Sequence, residues 1–71
     1  MKRYKLIDTE GNITYKDSMT LKEMQDFVEG YIEIVGDIIC NEDGLLLQLP
    51  KNKVYPRFVG NIIINQTPMP L

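Results

Sequence analysis

Residues that commonly carry enzyme chemistry are scarce in this sequence. The 71-residue chain has no histidine and a single cysteine, Cys40. Serine and cysteine nucleophiles generally pass their proton to a histidine, so the common triad-based hydrolases are excluded. Cys40 follows Ile39 in an apolar stretch without a cation that would stabilise a thiolate, and it is predicted to be buried and inert. With one thiol and no imidazole, neither a metal site nor a cofactor is expected.

Carboxylates are the remaining candidates for acid–base catalysis. Glu42 and Asp43 are adjacent, but the sequence Asn41-Glu42-Asp43-Gly44 is typical of a turn. Solvation in a turn keeps both carboxylates ionised, whereas acid–base catalysis needs one of them protonated. The chain also has no glycine-rich phosphate-binding motif. The sequence therefore predicts no catalytic residues and a protein that works by binding.

The segment Lys51–Phe58 is the best candidate for a binding site. Its three cations and two aromatic residues are Lys51, Lys53, Arg57, Tyr55 and Phe58. Cations beside aromatic rings can hold an anionic ligand that carries a ring, such as a nucleotide. The alternative interpretation is a solvated loop whose two aromatic residues pack on the edge of a sheet.

Length and charge limit the fold and the partners. Seventy-one residues allow one domain, here residues 1–71 with 66–71 as a proline-containing tail. The net charge of −2 gives no general positive field for nucleic acids or anionic membranes. No run approaches the roughly 20 apolar residues that span a bilayer, which predicts a cytoplasmic protein. A core this thin also favours self-association, so a homo-oligomer is expected.

Local patterns predict a β-hairpin at the start of the chain. Charged and apolar residues alternate over Arg3–Asp8, and the pattern resumes at Ile13–Tyr15. Gly11 and Asn12 lie between the two runs and tolerate the positive φ of a tight turn.

A helix is predicted next. Thr20 and Glu23 have the spacing of a capping box, which places the first helical residue at Leu21. One apolar stripe follows at helical spacing: Leu21, Met24, Phe27 and Val28. Gly30 is predicted to end the helix.

Strands are predicted for the rest of the chain. The side chains of Tyr31–Val35 point alternately to the two faces of a predicted strand. Tyr31 and Glu33 share one face, which either forms an interface or faces solvent. Residues 36–37 interrupt this strand, 38–40 continue it, and the turn at 41–44 leads into a predicted strand at Leu45–Leu49, which makes a second hairpin. Leu45, Leu47 and Leu49 share one face of that strand, so it is either apolar on both faces or has Leu46 at an interface. Asn61–Asn65 is the last strand. The order ββαβββ predicts an α+β fold, a mostly antiparallel sheet with the helix across its core face.

Four short motifs occur in an order that is typical of one family: Gly30-Tyr31-Ile32-Glu33, Asn41-Glu42-Asp43-Gly44, Leu49-Pro50 with Asn52, and Gly60-Asn61-Ile62-Ile63. Over about Tyr4–Ile64 the chain resembles a small domain of unknown function (DUF3846-like) borne by phages and plasmids. Some members resemble anti-CRISPR or other counter-defence proteins. The resemblance adds Tyr31 and Asn52 to the candidates. The expected ligand-binding set is Lys51, Lys53, Tyr55, Arg57, Tyr31 and Asn52.

The resemblance implies a counter-defence protein that inhibits by binding. In one mechanism an oligomer sequesters a nucleotide immune signal at a subunit junction through the segment Lys51–Phe58, here called the basic loop. In the second the chain binds a host defence protein and mimics nucleic acid with Asp26, Glu29, Glu33 and Asp37. The alternative is a phage or plasmid accessory protein with a structural or regulatory partner.

Overall fold

The computed structural model describes residues 2–66 and contains five strands and one helix. Their bounds are β1 Tyr4–Ile7, β2 Ile13–Lys16, α1 Leu21–Val28, β3 Ile32–Val35, β4 Ile38–Asn41 and β5 Ile62–Asn65. The strands form one antiparallel sheet in the order β2-β1-β5-β4-β3. The α+β fold and the element order ββαβββ are thus confirmed. The proposed tail lies outside the described residues except for Gln66.

The first hairpin forms as predicted. β1 pairs with β2, with Ile7 opposite Ile13. Between them Gly11 has a φ of 92°, and the Asp8 carboxylate accepts hydrogen bonds from the backbone and side-chain N–H groups of Asn12 at 2.8 and 3.0 Å. The turn is therefore held by a carboxylate as well as by the glycine.

The helix begins as predicted and ends differently. The Thr20 hydroxyl accepts from the Glu23 amide at 3.1 Å, and the Glu23 carboxylate accepts from the Thr20 amide at 2.9 Å, so the capping box is complete. At the other end the last helical residue is Val28, and Glu29, with a φ of 67°, takes a left-handed conformation one residue before the glycine that was predicted to end the helix. Gly30 has a packing role: a Cβ there would lie 2.8 Å from Nδ2 of Asn41.

The predicted strand at Leu45–Leu49 is wrong. Residues 42–48 form consecutive turns, with hydrogen bonds from the Leu47 amide to the Asp43 carbonyl at 2.8 Å and from the Leu49 amide to the Gly44 carbonyl at 3.0 Å. The hairpin partner of β4 is β3, joined through residues 36–37, and the other side of β4 pairs with β5. Because β4 pairs with β3 on one side and β5 on the other, a strand after residue 44 could not form the predicted hairpin with β4.

The sheet has a core on both faces. One face, here called the helix face, packs against α1 around Tyr4, Leu6, Val28, Ile39 and Ile63. The opposite face, the loop face, is covered by residues 42–60, here called the loop segment; its buried residues are Ile7, Cys40 and Ile62, with Tyr55 and Phe58 packed on them. Each fully buried isoleucine contributes roughly 1.5–3 kcal/mol. The prediction of one core face under the helix is therefore incomplete.

No helix in residues 2–66 combines the length and the apolarity needed to cross a membrane.

Candidate binding groove

Asn52 fixes the loop segment on the sheet. Its side chain is fully buried, and its Nδ2 lies 3.2 Å from the carbonyl oxygens of Ile7, Asp8 and Gly60. Its Oδ1 accepts from the amides of Val54 and Tyr55 at 3.0 and 3.1 Å. An amide side chain supplies both donors and acceptors, which is why a buried asparagine can satisfy backbone groups on several segments at once.

The loop segment and the strands enclose a groove. This groove, of about 410 Å³, lies between the loop face of β3 and β4 and two arms of the loop segment, residues 42–46 and 57–59. Gly44 allows the arms to approach each other, since a Cβ at this position would lie 2.7 Å from Cγ2 of Val59. The groove is therefore built by loop packing that depends on a glycine.

The groove has an apolar interior and a charged rim. Buried Cys40 and half-buried Phe58 and Val59 contribute its inner surface. Leu45 and Leu46 line it as well, and each of these side chains is 82% exposed. Exposed apolar side chains beside a concave surface are common at binding sites, so the groove is a candidate site.

Three carboxylates and one guanidinium border the groove. They belong to Glu33, Glu42, Asp43 and Arg57. Burial raises the pKa of the Cys40 thiol, and the Glu33 carboxylate adds to the effect, so the thiol stays protonated. The groove is net acidic and offers no reactive thiolate, so it is suited to binding an apolar group flanked by cations.

The structure separates the predicted ligand-binding residues. Asn52 is buried, and both its amide nitrogen and its amide oxygen are hydrogen-bonded to the backbone, which is a structural role in place of the predicted ligand contact. Lys53 forms a 2.7 Å ion pair with Glu10, which raises the pKa of the lysine through the hydrogen bond and the negative charge. Tyr55 is half-buried in the loop-face core, as the alternative interpretation predicts. Lys51 and Arg57 are exposed, and Arg57 borders the groove.

Tyr31 lies away from the basic loop. Its ring is 70% exposed, and it borders a shallow depression at the end of α1 with Asp26 and Glu29. The carboxylates there would repel an anionic ligand. Tyr31 therefore does not share a site with Lys51 and Arg57.

Sequence reasoning missed Leu45 as a site residue, and it offered Leu46 at an interface only as one of two interpretations of a strand. Their apolar character was read as strand burial. The signal that could have found them is the turn sequence at 41–44, because leucines following a turn without a partner strand remain at the surface. Arg57 is the member of the predicted set that does border the groove.

Other kinds of site find no support in residues 2–66. No three acidic, cysteine or histidine side chains of this range are placed to hold a metal ion. Every buried side-chain nitrogen or oxygen in the same range has a hydrogen-bond partner, so none is left directed at a missing ligand.

A family model described as a domain of unknown function (DUF3846) matches residues 1–68. No curated protein and no solved structure matches the chain.

Proposed function

The chain belongs to the DUF3846 family of domains of unknown function, and from the geometry of the groove we propose that it acts without catalysis, by binding another protein there. The observation that carries the proposal is the pair Leu45 and Leu46, each 82% exposed beside the apolar groove. Leaving two leucines in water forgoes roughly 1.5–3 kcal/mol for each. A partner that covers them recovers that free energy.

The rim charges indicate the kind of partner. Glu33, Glu42 and Asp43 outnumber Arg57, and the whole chain is also net negative at −2. Complementary charge steers a partner and fixes its register more than it adds affinity. We therefore expect a partner surface with an apolar anchor beside lysine or arginine residues, as in a protein that itself binds nucleic acid.

The biological role that we propose for this binding is counter-defence, as the sequence resemblance implies. An inhibitor of this kind occupies a host defence protein and needs no reactive side chain. The acidic rim supports this role, because it could compete with a nucleic acid for basic residues. In the alternative role, a structural or regulatory partner would bind in the same groove. The identity of the captured protein distinguishes this role from counter-defence.

The test is capture of partners with and without the leucines. Tagged wild-type protein and the double variant Leu45→Glu, Leu46→Glu are used as baits in host lysate, and retained proteins are quantified by mass spectrometry. Leu47→Glu is the matched control, because this leucine is 56% exposed and does not line the groove. We expect one protein to be enriched by the wild type and the control and lost by the double variant.

The captured protein is then purified and titrated with the same three baits. A dissociation constant weakened by about 100-fold in the double variant would match the loss of two buried leucine contacts. Equal affinity of the double variant and the wild type would refute the groove as the binding site.

Sequestration of a nucleotide is the second candidate, and the exposed cations Lys51 and Arg57 favour it. Neither forms an ion pair within residues 2–66, so both are available to a phosphate. Calorimetric titration with a panel of cyclic nucleotides tests this function. Heat that is abolished by Lys51→Ala and Arg57→Ala, and kept by Lys53→Ala, would support it. If no nucleotide of the panel released or absorbed heat, this second candidate function would be refuted.

A further inference from the structure

The strand β3 has an open edge. It is the last strand in the sheet and pairs with β4 alone. The Glu42 amide donates to the Tyr31 carbonyl at 2.8 Å, so the backbone groups of residue 31 point toward β4. Because backbone direction alternates along a strand, Glu33 and Val35 also point toward β4, whereas Ile32 and Ile34 direct their N–H and C=O groups away from the sheet. These outward groups can pair with a further strand.

This edge is protected from pairing only by its short length and by Glu33. Lysine, proline and bulges, which protect many other edge strands, are absent from β3. The opposite edge strand, β2, carries Lys16, whereas β3 has the sequence Ile-Glu-Ile-Val with regular pairing throughout. The side chains of Ile34 and Val35 are 66% and 46% exposed. The β3 edge is therefore both available and apolar.

We propose that β3 pairs with β3 of a second copy of the chain, antiparallel about a two-fold axis at Ile34, so that the two sheets become continuous. A second copy fits because the edge is self-complementary. Only outward-directed residues can exchange hydrogen bonds, so the axis must place even-numbered residues opposite one another. This condition leaves three registers, with Ile34 opposite itself, Ile32 opposite itself, or Ile32 opposite Ile34.

Charge and exposure select among the three registers. Pairing Ile32 with Ile34 places Glu33 directly opposite Glu33 of the second copy, and like charges in that position are destabilising. Pairing Ile32 with itself leaves the exposed Val35 outside the contact. Pairing Ile34 with itself brings the two most exposed aliphatic residues of the strand to the centre and places Glu33 opposite Val35. This register is the one proposed.

The expected dimer is weak. Pairing of two four-residue strands covers much less than the roughly 1,200 Å² or more of a stable interface. We therefore expect a dimer fraction that rises with protein concentration. Because α1 and the loop segment cover opposite faces of the sheet, the edge between the faces is open to the second copy.

Cysteine cross-linking tests the register. Ile34→Cys should form a disulfide-linked dimer on mild oxidation, since hydrogen-bonded antiparallel pairs have Cα atoms about 5.5 Å apart, within disulfide range. Glu33→Cys and Val35→Cys should each fail to cross-link alone and should cross-link when mixed. Oxidised wild type is the control for Cys40, which is buried. Circular dichroism confirms that each variant is folded.

Light scattering after size exclusion gives an independent readout. Ile34→Lys should weaken the dimer about tenfold or more, because it places two cations opposite each other. A wild type that is monomeric at every concentration, with no cross-link at residue 34, would overturn the proposal. So would cross-linking of Glu33→Cys with itself, which requires the rejected register. Neither result bears on the groove, whose test is partner capture.

Discussion

The two halves of the loop segment differ in which side chains they bury. Residues 42–49, here the leucine half, carry three consecutive leucines and leave all of them exposed. Residues 50–60, here the anchored half, carry Asn52 and bury it completely. The more apolar stretch is at the surface and a polar side chain is in the interior. Since Tyr55 and Phe58 of the anchored half also pack on the sheet, hydrogen-bond partners together with hydropathy determine which part of this segment is buried.

The physical reason lies in the backbone groups that each half must satisfy. In the leucine half, turns bond the backbone to itself, as between the Leu49 amide and the Gly44 carbonyl. In the anchored half, the Asn52 side chain bonds to carbonyls of β1 and of Gly60. A buried carbonyl without a partner costs about 1–3 kcal/mol, so the asparagine holds its half in place.

The largest expected effect is therefore at Asn52. Asn52→Ala removes the donor shared by three carbonyl groups and the acceptor of two amides. We expect the free energy of unfolding to fall by about 3 kcal/mol or more, since several backbone groups lose their partner together. Urea denaturation followed by circular dichroism measures it. Ser18→Ala, at an exposed polar residue outside the strands and the helix, is the control; equal losses in the two variants would contradict the anchoring role.

Gly60 connects the anchored half to β5 and should show the next largest effect. Its φ is 80°, and a Cβ there would lie 2.8 Å from Cδ1 of Leu49. Gly60→Ala is expected to lose about 2 kcal/mol, from a left-handed cost of roughly 1–2 kcal/mol together with displacement of Leu49. Gly36→Ala is the matched control, with a φ of 62° and nothing within 4 Å. If urea denaturation gave equal losses of unfolding free energy for the two variants, the leucine half would have moved to accommodate the new methyl group at no cost.

Sequence reasoning succeeded where structure depends on near neighbours. The capping box of Thr20 and Glu23 and the Gly11 turn are decided within a few residues, and both form as predicted. Leu45–Leu49 failed because the outcome depends on β5, about twenty residues away, which occupies the edge of β4 that a new strand would need. Likewise, nothing near Asn52 in the sequence indicates that its partners are carbonyls of β1.

The hairpin turn that adjoins the anchored half should give a smaller effect that depends on pH. Asp8 accepts from the Asn12 side chain and from backbone amides of the turn, which lowers its pKa below the usual 3.8. A lowered pKa stabilises the fold at pH values above 3.8, and this contribution is lost as the pH falls through the folded-state pKa. We expect Asp8→Asn to lose less stability than the wild type between pH 7 and pH 3, both measured by urea denaturation. An unchanged pH dependence would exclude this contribution.

The smallest effect on stability is expected in the leucine half. Leu45→Ser combined with Leu46→Ser should change the free energy of unfolding by less than about 0.5 kcal/mol, because side chains that are 82% exposed have little burial to lose. The same urea denaturation measures it, at low protein concentration so that the chain is monomeric. A loss comparable with that of Asn52→Ala would mean that the leucines are buried within the monomer in solution, and the groove would then be closed to a partner. A near-zero loss, with partner capture abolished by Leu45→Glu and Leu46→Glu, would assign folding to the anchored half and binding to the leucine half.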